Sequence, residues 1–441
     1  MPDNNVNLRR VAFDIVSHVL ENGKYLTDAL ADTLRRYQYL EKNKRSYISR
    51  ISRGVVERFI ELDAIISAYS TTKINKLNPN IRNILRMAVY ELRYMDSIPE
   101  SATVNEYVKL SSKKAPSRLK GFVNGILRNM IRDEFEKVSL TENEIFSMPK
   151  WLYDKFDEEY GCARDICSAF LDTNLITIRT NLTKCTPEKL KTSLEKEGIK
   201  VNPIEDVKYG FYIEDVDYLN KLNAFKDGLF YVQDLSSMMV GEKSSVKPGD
   251  IVLDVCAAPG GKSLHIAELL YVLEDKDIEK AKEDKLTHKG HVFSYDISEE
   301  KVNLIRDNID RTGLSNITAE IKDARVLDEK LIDKADIVIA DLPCSGLGII
   351  GKKPDIKSRI NKEDIESLSL LQKDILNICK NYVKPCGTLI YSTCTISRAE
   401  NQDNVRTFLE SNGNFSLVEE TQFLPDKKQD GFYIAVMKRN S

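Results

Sequence analysis

The sequence predicts a multidomain chain: an all-α bundle, a small α+β subdomain, and an α/β domain on a doubly wound, Rossmann-like sheet. Three observations carry this. Apolar residues recur at three- and four-residue spacing from Leu8 to about Arg132, with no alternating run among them. The following stretch mixes helical periodicity with short strand-like runs, and from Asp250 onward strand-like and helical segments alternate. The 441 residues, 42% hydrophobic and 30% charged, suffice for two or three domains with cores of their own. The expected divisions are residues 1–135, 140–237 and 238–441.

Composition narrows the function classes. No apolar stretch reaches the roughly 18 residues of a membrane span, and the opening M-P-D-N-N-V-N-L-R-R lacks the apolar centre of a signal peptide. A cytoplasmic protein with no membrane partner is expected. The eight cysteines never take a C-x-x-C spacing, which predicts free thiols and no metal. The net charge of −3 conceals an asymmetry: residues 1–130 hold 22 Lys+Arg against 13 Asp+Glu, a balance of +9, which leaves −12 for the remainder. A basic module joined to an acidic one predicts nucleic-acid contact through the first.

In the first part the helical spacing is plain in Val11, Ile15, Val16 and Leu20, and again in Ile84, Leu85, Ala88, Val89 and Leu92. Breaks are expected at Asn22-Gly23, Leu77-Asn78-Pro79, Ile98-Pro99 and Ala115-Pro116. The segments I-R-N-I-L-R-M-A-V-Y-E-L, V-N-E-Y-V-K-L and F-V-N-G-I-L-R resemble, in order and spacing, the NusB family of RNA-binding antitermination domains. That resemblance implies a helical bundle and RNA binding.

After a hinge from about Glu134 to Trp151, the sequence predicts a helix over Leu152 to Phe170, a strand at Ile176 to Thr180 and a helix initiated by Pro187. Two more strands are expected at Gly210 to Ile213 and Gly228 to Val232. The unit is too small for an enzyme and is expected to act as a lid or RNA guide.

In the third part I-V-L-D-V, H-V-F-S-Y-D, I-T-A-E-I, D-I-V-I-A-D and T-L-I-Y-S-T read as parallel strands. F-S-L-V-E and Gly431 to Val436 lack a connecting helix and predict an antiparallel hairpin at the sheet edge. The charged stretch 275–289 reads as a solvated insertion.

The first of these strands runs into Cys256-Ala257-Ala258-Pro259-Gly260-Gly261-Lys262, a turn opening a helix. Glycines there let backbone approach a ligand at a helix N-terminus. The turn departs from G-x-G-x-x-G and from G-x-x-x-x-G-K-[ST], which disfavours dinucleotides and ATP and leaves the carboxylate end of a methionine-derived cofactor as the better guest. Asp296, after the second strand, suits ribose hydroxyls, and Asp323, after the third, suits an adenine amino group.

The fourth and fifth strands end in Pro343-Cys344 and Thr393-Cys394. Two sulfurs at adjacent strand ends beside a methyl-donor loop suit methylation of cytosine carbon 5. That carbon becomes nucleophilic only after a thiolate adds to carbon 6. On spacing alone either cysteine could attack.

The set C-A-A-P-G-G-K, A-D-L-P-C-S-G-L-G, K-K-P-D-I-K and Y-S-T-C-T-I-S-x-x-E-N resembles the RNA cytosine-C5 methyltransferases. With the NusB-like part in front, the chain is similar to the bacterial members of that family acting on small-subunit (16S) rRNA. The resemblance implies S-adenosyl-L-methionine as cofactor, Cys394 as nucleophile and Cys344 as an aid to product release. It further implies Asp341 against the ring edge and in the cofactor site, and Lys262 holding the cytosine or its developing charge. Lys353-Pro354-Asp355 matches the family's basic segment, although Gly351-Lys352 stand where relatives are richer in arginine. A monomer bound to small-subunit rRNA is expected. The motifs do not encode which RNA is held, so a tRNA substrate, or a non-catalytic RNA-binding assembly or antitermination factor, are the alternatives.

Overall fold

The computed structural model describes residues 6–172, 175–214, 216, 218–274 and 290–441; the charged stretch 275–289 lies outside the described residues. The chain forms two compact units, one of residues up to Asp172 with Ile350–Arg359, the other of residues from 175 to Ile349 with Ile360–Ser441.

The first unit is helical: α1 (Leu8–Leu20), α2 (Leu26–Arg36), α3 (Lys42–Tyr69), α4 (Pro79–Tyr94), α5 (Glu100–Lys114), α6 (Lys120–Arg132), α7 (Glu142–Ile145), α8 (Lys150–Tyr160) and α9 (Ala163–Leu171). The expected breaks separate helices for local reasons. Asn78 accepts from the N–H groups of Asn80 and Ile81 while Pro79 occupies the first helical position, so α4 begins there. The apolar stripes meet in a core that includes Val16, Val55, Ile65, Ile84, Tyr107 and Leu127. Within it the buried Glu91 of α4 accepts from Arg9, from Thr103 Oγ1 at 2.7 Å and from Tyr107 Oη at 3.1 Å, which ties α1 and α5 to α4. The helix expected over Leu152 to Phe170 is two helices: Gly161, at φ +67°, ends α8 in the left-handed conformation and α9 starts afresh.

The excursion Ile350–Arg359 packs within this helical unit. Arg53 Nη2 donates to Gly351 O at 2.6 Å, Leu26 N donates to Asp355 Oδ2 at 3.3 Å, and Lys357 donates to Glu57 O. Asp355 and Lys357 are both buried. Of the K-K-P-D-I-K run, these two side chains are therefore used in packing, and Lys353 stays exposed.

The second unit holds two sheets. The smaller contains β1 (Ile176–Thr180), α10 (Pro187–Lys196), β2 (Lys200–Pro203), β3 (Gly210–Glu214), α11 (Asn223–Lys226) and β4 (Phe230–Val232), with strand order β2-β3-β1-β4, all antiparallel. The short, polar edge strand β2 carries no alternating signature and was not expected from sequence. The helix α12 (Leu235–Ser244) leads into the larger domain. There follow β5 (Ile251–Asp254), α13 (Gly261–Glu274), β6 (His291–Asp296), α14 (Glu299–Thr312), β7 (Ile317–Ile321), β8 (Ala335–Asp341), α15 (Lys362–Cys379), β9 (Val383–Thr393), α16 (Gln402–Ser411), β10 (Phe415–Phe423) and β11 (Phe432–Arg439). The order β10-β11-β9-β8-β5-β6-β7 is parallel from β9 to β7 and ends in the antiparallel hairpin at the edge.

A buried ion pair fastens the small sheet to the large domain. Arg179 of β1 donates to Glu268 of α13 at 2.8 Å, both side chains fully buried, and its Nε donates to Gln233 at 2.7 Å. Arg179→Met removes one partner and strands the Glu268 carboxylate, a loss expected to cost about 3–5 kcal/mol in urea unfolding.

Candidate active site

β5 and β8 are neighbours at the centre of the large sheet, and the chain leaves them toward opposite edges. In such sheets a crevice forms outside the carboxyl ends of the strands at the reversal. Here it is a cavity of about 360 Å³. Strand ends supply its chemistry: Val255 and Cys256 after β5, Asp296 ending β6, Asp323 after β7, Asp341 to Cys344 at β8, and Cys394 after β9. Leu371 and Ile375, four residues apart on α15, give it an apolar wall.

The glycine turn is hooked to the end of β6 by Ala257 N donating to Tyr295 O at 2.8 Å. Gly260 sits at φ +100°, and a Cβ there would lie 3.2 Å from Ile305 Cγ2, so this bend needs glycine. Cys256 and Ala258 line the cavity; Ala257, Pro259, Gly260, Gly261 and Lys262 shape the turn without lining it. Burial pushes the Cys256 thiol well above the usual range, which keeps it protonated.

Behind the turn, Ser263 Oγ donates to the buried Asp254 at 2.5 Å. Burial raises the Asp254 carboxyl to about 7 against the hydrogen bond from Ser263, which lowers it. A carboxyl raised on folding stabilises the fold most below its unfolded value, and that contribution is lost as pH climbs to about 7. Unfolding of wild type and Asp254→Asn should therefore diverge with pH, the asparagine variant gaining about 2–3 kcal/mol relative to wild type between about pH 5 and pH 8.

Ser298, not Asp296, caps α14, accepting from Lys301 N at 3.3 Å. Asp296 is thereby left to the cavity, where Oδ2 accepts from Ala258 N at 3.0 Å and Oδ1 pairs with Lys301 Nζ at 3.1 Å. A carboxylate has about four acceptor positions, so capacity for a hydroxyl donor remains. Asp323 is gripped by Arg325 through Nε to Oδ1 at 2.9 Å and Nη2 to Oδ2 at 2.6 Å, and those bonds hold its carboxyl below the usual range. Any amino group on this rim shares Asp323 with Arg325.

The register Asp341↔Ser392 aligns the ends of β8 and β9. Three residues past Asp341 and two past Ser392, the sulfurs of Cys344 and Cys394 lie 3.3 Å apart, both partly accessible. Asp341 accepts from Lys262 Nζ at 2.6 Å and from Ser392 Oγ at 2.8 Å. Burial disfavours the Lys262 ammonium, but the charge and hydrogen bond of Asp341 outweigh it and raise its pKa, so the cation persists. Cys344 is held well above the usual thiol range, first by its hydrogen bond to Cys394, then by burial and by the charges of Cys394 and Glu400. Two sulfurs this close do not both ionise readily.

The four expected catalytic side chains thus converge: Cys344, Cys394 and Asp341 line the cavity, and Lys262 reaches it through Asp341. Sequence reasoning passed over Lys301, Arg325, Leu371 and Ile375, which lack a motif, and assigned nothing to Ser392 or Glu400, although both stand in the quoted Y-S-T-C-T-I-S-x-x-E-N run. Among the described residues there is no cluster of side chains able to hold a metal ion and no helix long and apolar enough to cross a membrane.

Comparison with known proteins bears on each part. Residues 244–438 match the family described as 16S rRNA methyltransferase RsmB/F, residues 148–217 the Methyltr_RsmF/B-like ferredoxin-like domain, and residues 6–132 the NusB family. The chain is 31% identical to the probable ribosomal RNA small subunit methyltransferase B of Bacillus subtilis over 423 residues, 93% of this chain and 89% of the relative. It is 26% identical to the ribosomal RNA small subunit methyltransferase B of Proteus mirabilis, over 98% of this chain and 99% of that one. Among solved structures, that of PH0851 superposes with a TM-score of 0.79 at 25% identity, over 99% of this chain and 100% of that one. NSun6 from Pyrococcus horikoshii, solved with SFG, shares the fold at a TM-score of 0.56 and 23% identity, over 67% of this chain and 100% of that one.

Proposed function

Because the chain belongs to the 16S rRNA methyltransferase RsmB/F family, we propose that it methylates carbon 5 of a cytosine in small-subunit rRNA, using S-adenosylmethionine and a transient bond from Cys394 to carbon 6. The observation that carries this reading is the pair of sulfurs 3.3 Å apart at the mouth of a cavity that also holds the Asp341 carboxylate.

The residues divide the work as follows. Asp341, an acceptor on both oxygens, takes hydrogen bonds from the exocyclic amino group that cytosine has and uracil lacks. Lys262, paired with Asp341, offsets negative charge building on the ring once a thiolate has added to it. Cys394 supplies that thiolate, with the Cys344 thiol, held well above the usual range, 3.3 Å from it. When the Cys394 sulfur is bonded to carbon, the hydrogen bond that chiefly held the Cys344 proton is gone. Cys344 can then lose it to solvent, accept the proton from carbon 5, and so allow Cys394 to depart.

The cavity fits an adenosyl cofactor by size and by donor set, with Asp296 for hydroxyls, Asp323 for an amino group, and Ala258 and Ile297 in its lining. Bound there, S-adenosylmethionine supplies a methyl group made electrophilic by its sulfonium. The excess of basic residues in the helical unit supports binding to the phosphate backbone, and the target base must be single-stranded or flipped out to reach the sulfurs.

The test is transfer of labelled methyl from S-adenosylmethionine to purified small-subunit rRNA and to tRNA, followed by nucleoside analysis. Label recovered as 5-methylcytidine from the rRNA is expected. Label confined to tRNA reassigns the substrate, and no label in either RNA rejects the reading.

A further inference from the structure

The glycine turn that opens onto the cavity is held at four successive residues. Ala257 N donates to Tyr295 O at 2.8 Å and Ala258 N to Asp296 Oδ2 at 3.0 Å, both at the end of β6. The next two positions are held from one face of α14. Asn308 Nδ2 donates to Pro259 O at 3.1 Å, and Gly260 lies against Ile305, where a Cβ would come within 3.2 Å of Cγ2. Lys301, Ile305 and Asn308 follow one another at helical spacing, and Lys301 pairs with Asp296 at 3.1 Å, so α14 lies along the turn as a splint.

The Asn308 amide is oriented from its other side. Arg311, one turn further along α14, donates from Nη2 to Asn308 Oδ1 at 3.1 Å. A guanidinium only donates, so the amide oxygen must face Arg311 and the amide nitrogen must face the turn, where the Pro259 carbonyl only accepts. Arg311 is itself fixed: Nη1 donates to Phe225 O at 3.2 Å and to Phe230 O at 3.0 Å, and the guanidinium lies 4.3 Å from the centre of the Phe225 ring. A continuous chain of hydrogen bonds therefore runs from α11 and β4 of the small sheet, through Arg311 and Asn308, to the backbone of the turn.

We infer that Asn308 is a positioning residue for the cofactor: its amide fixes the Pro259 carbonyl and so sets the backbone of the glycine turn against which the cofactor binds. Asn308 does not line the cavity and acts only through the turn. The inference rests on the proposed reaction only in naming that ligand an adenosyl compound.

Full-length Asn308→Ala and Asn308→Asp are compared with wild type in two measurements. One is calorimetric titration with S-adenosylhomocysteine; the other is amide hydrogen exchange of peptides spanning residues 256–262 in the free protein. Asn308→Ala removes the donor and should weaken nucleoside binding about five- to tenfold, the scale of one interior hydrogen bond, and should speed exchange in the turn by a similar factor. Asn308→Asp keeps an acceptor for Arg311 but cannot donate to Pro259 O. It should keep the wild-type urea midpoint and still lose affinity, a split that a role in helix packing alone would not give. In methyl transfer the loss should appear in KM for S-adenosylmethionine, with kcat at saturating cofactor near the wild-type value. Folded variants with unchanged turn exchange and unchanged affinity overturn the inference, as does a loss confined to kcat. Wild type that does not bind the nucleoside, while turn exchange still responds to residue 308, rejects the adenosyl reading alone. Wild type that binds it with an affinity indifferent to residue 308 rejects the role of Asn308 alone.

Discussion

Cys394→Ala is expected to lower methyl transfer to rRNA by at least about 10³-fold, the scale on which loss of a covalent nucleophile acts in an otherwise intact site. The rest of the machinery should survive. The Lys262–Asp341 pair and the Asp296 contacts to the glycine turn do not involve the Cys394 sulfur, so cofactor binding should be unchanged by calorimetry. The loss should therefore fall on kcat. Cys344 cannot simply substitute, because burial, and after it the charge of Glu400, disfavours its ionisation. Transfer at the wild-type rate would overturn the assignment of the nucleophile.

Cys344→Ala is expected to have the opposite signature, with the bond to carbon 6 formed and its release blocked. Cys344 is the thiol within 3.3 Å of Cys394, placed to take the carbon 5 proton once methylation is complete. Without it the enzyme should hold its RNA covalently, visible as a band of reduced mobility on denaturing gels and sensitive to nuclease. One turnover of label should still reach the RNA. The double variant Cys344→Ala/Cys394→Ala should show no such band, which identifies the sulfur that forms the adduct. Rapid turnover by Cys344→Ala with no adduct would mean that another base acts.

Much of this was visible in one dimension because the signals are local. Strand β6, the turn from Cys256 and the hairpin of β10 and β11 follow from runs of apolar residues cut off by glycine, proline and charge. That Cys344 and Cys394 end neighbouring strands also follows, since successive strands tend to pair. Three features escaped that reading. Gly161 divides a helix whose apolar spacing runs on past it. β2 lies at an edge with little apolar pattern to show. The segment Ile350–Arg359, some three hundred residues from Arg53 and Glu57, joins the helical unit through contacts that no local pattern encodes. Removing the first 130 residues would therefore also take away the packing partners of Asp355 and Lys357.

Residue types and their spacing were enough to give the chain its order of domains, its glycine turn and its two thiols, because periodicity and turn chemistry act over a few neighbours. What surrounds the two thiols was decided only by the tertiary structure. Their sulfurs come to 3.3 Å from one another at a cavity that also holds the Asp341 carboxylate paired with Lys262, groups drawn from different elements, and electrostatic energy depends on distance through space rather than on separation along the chain.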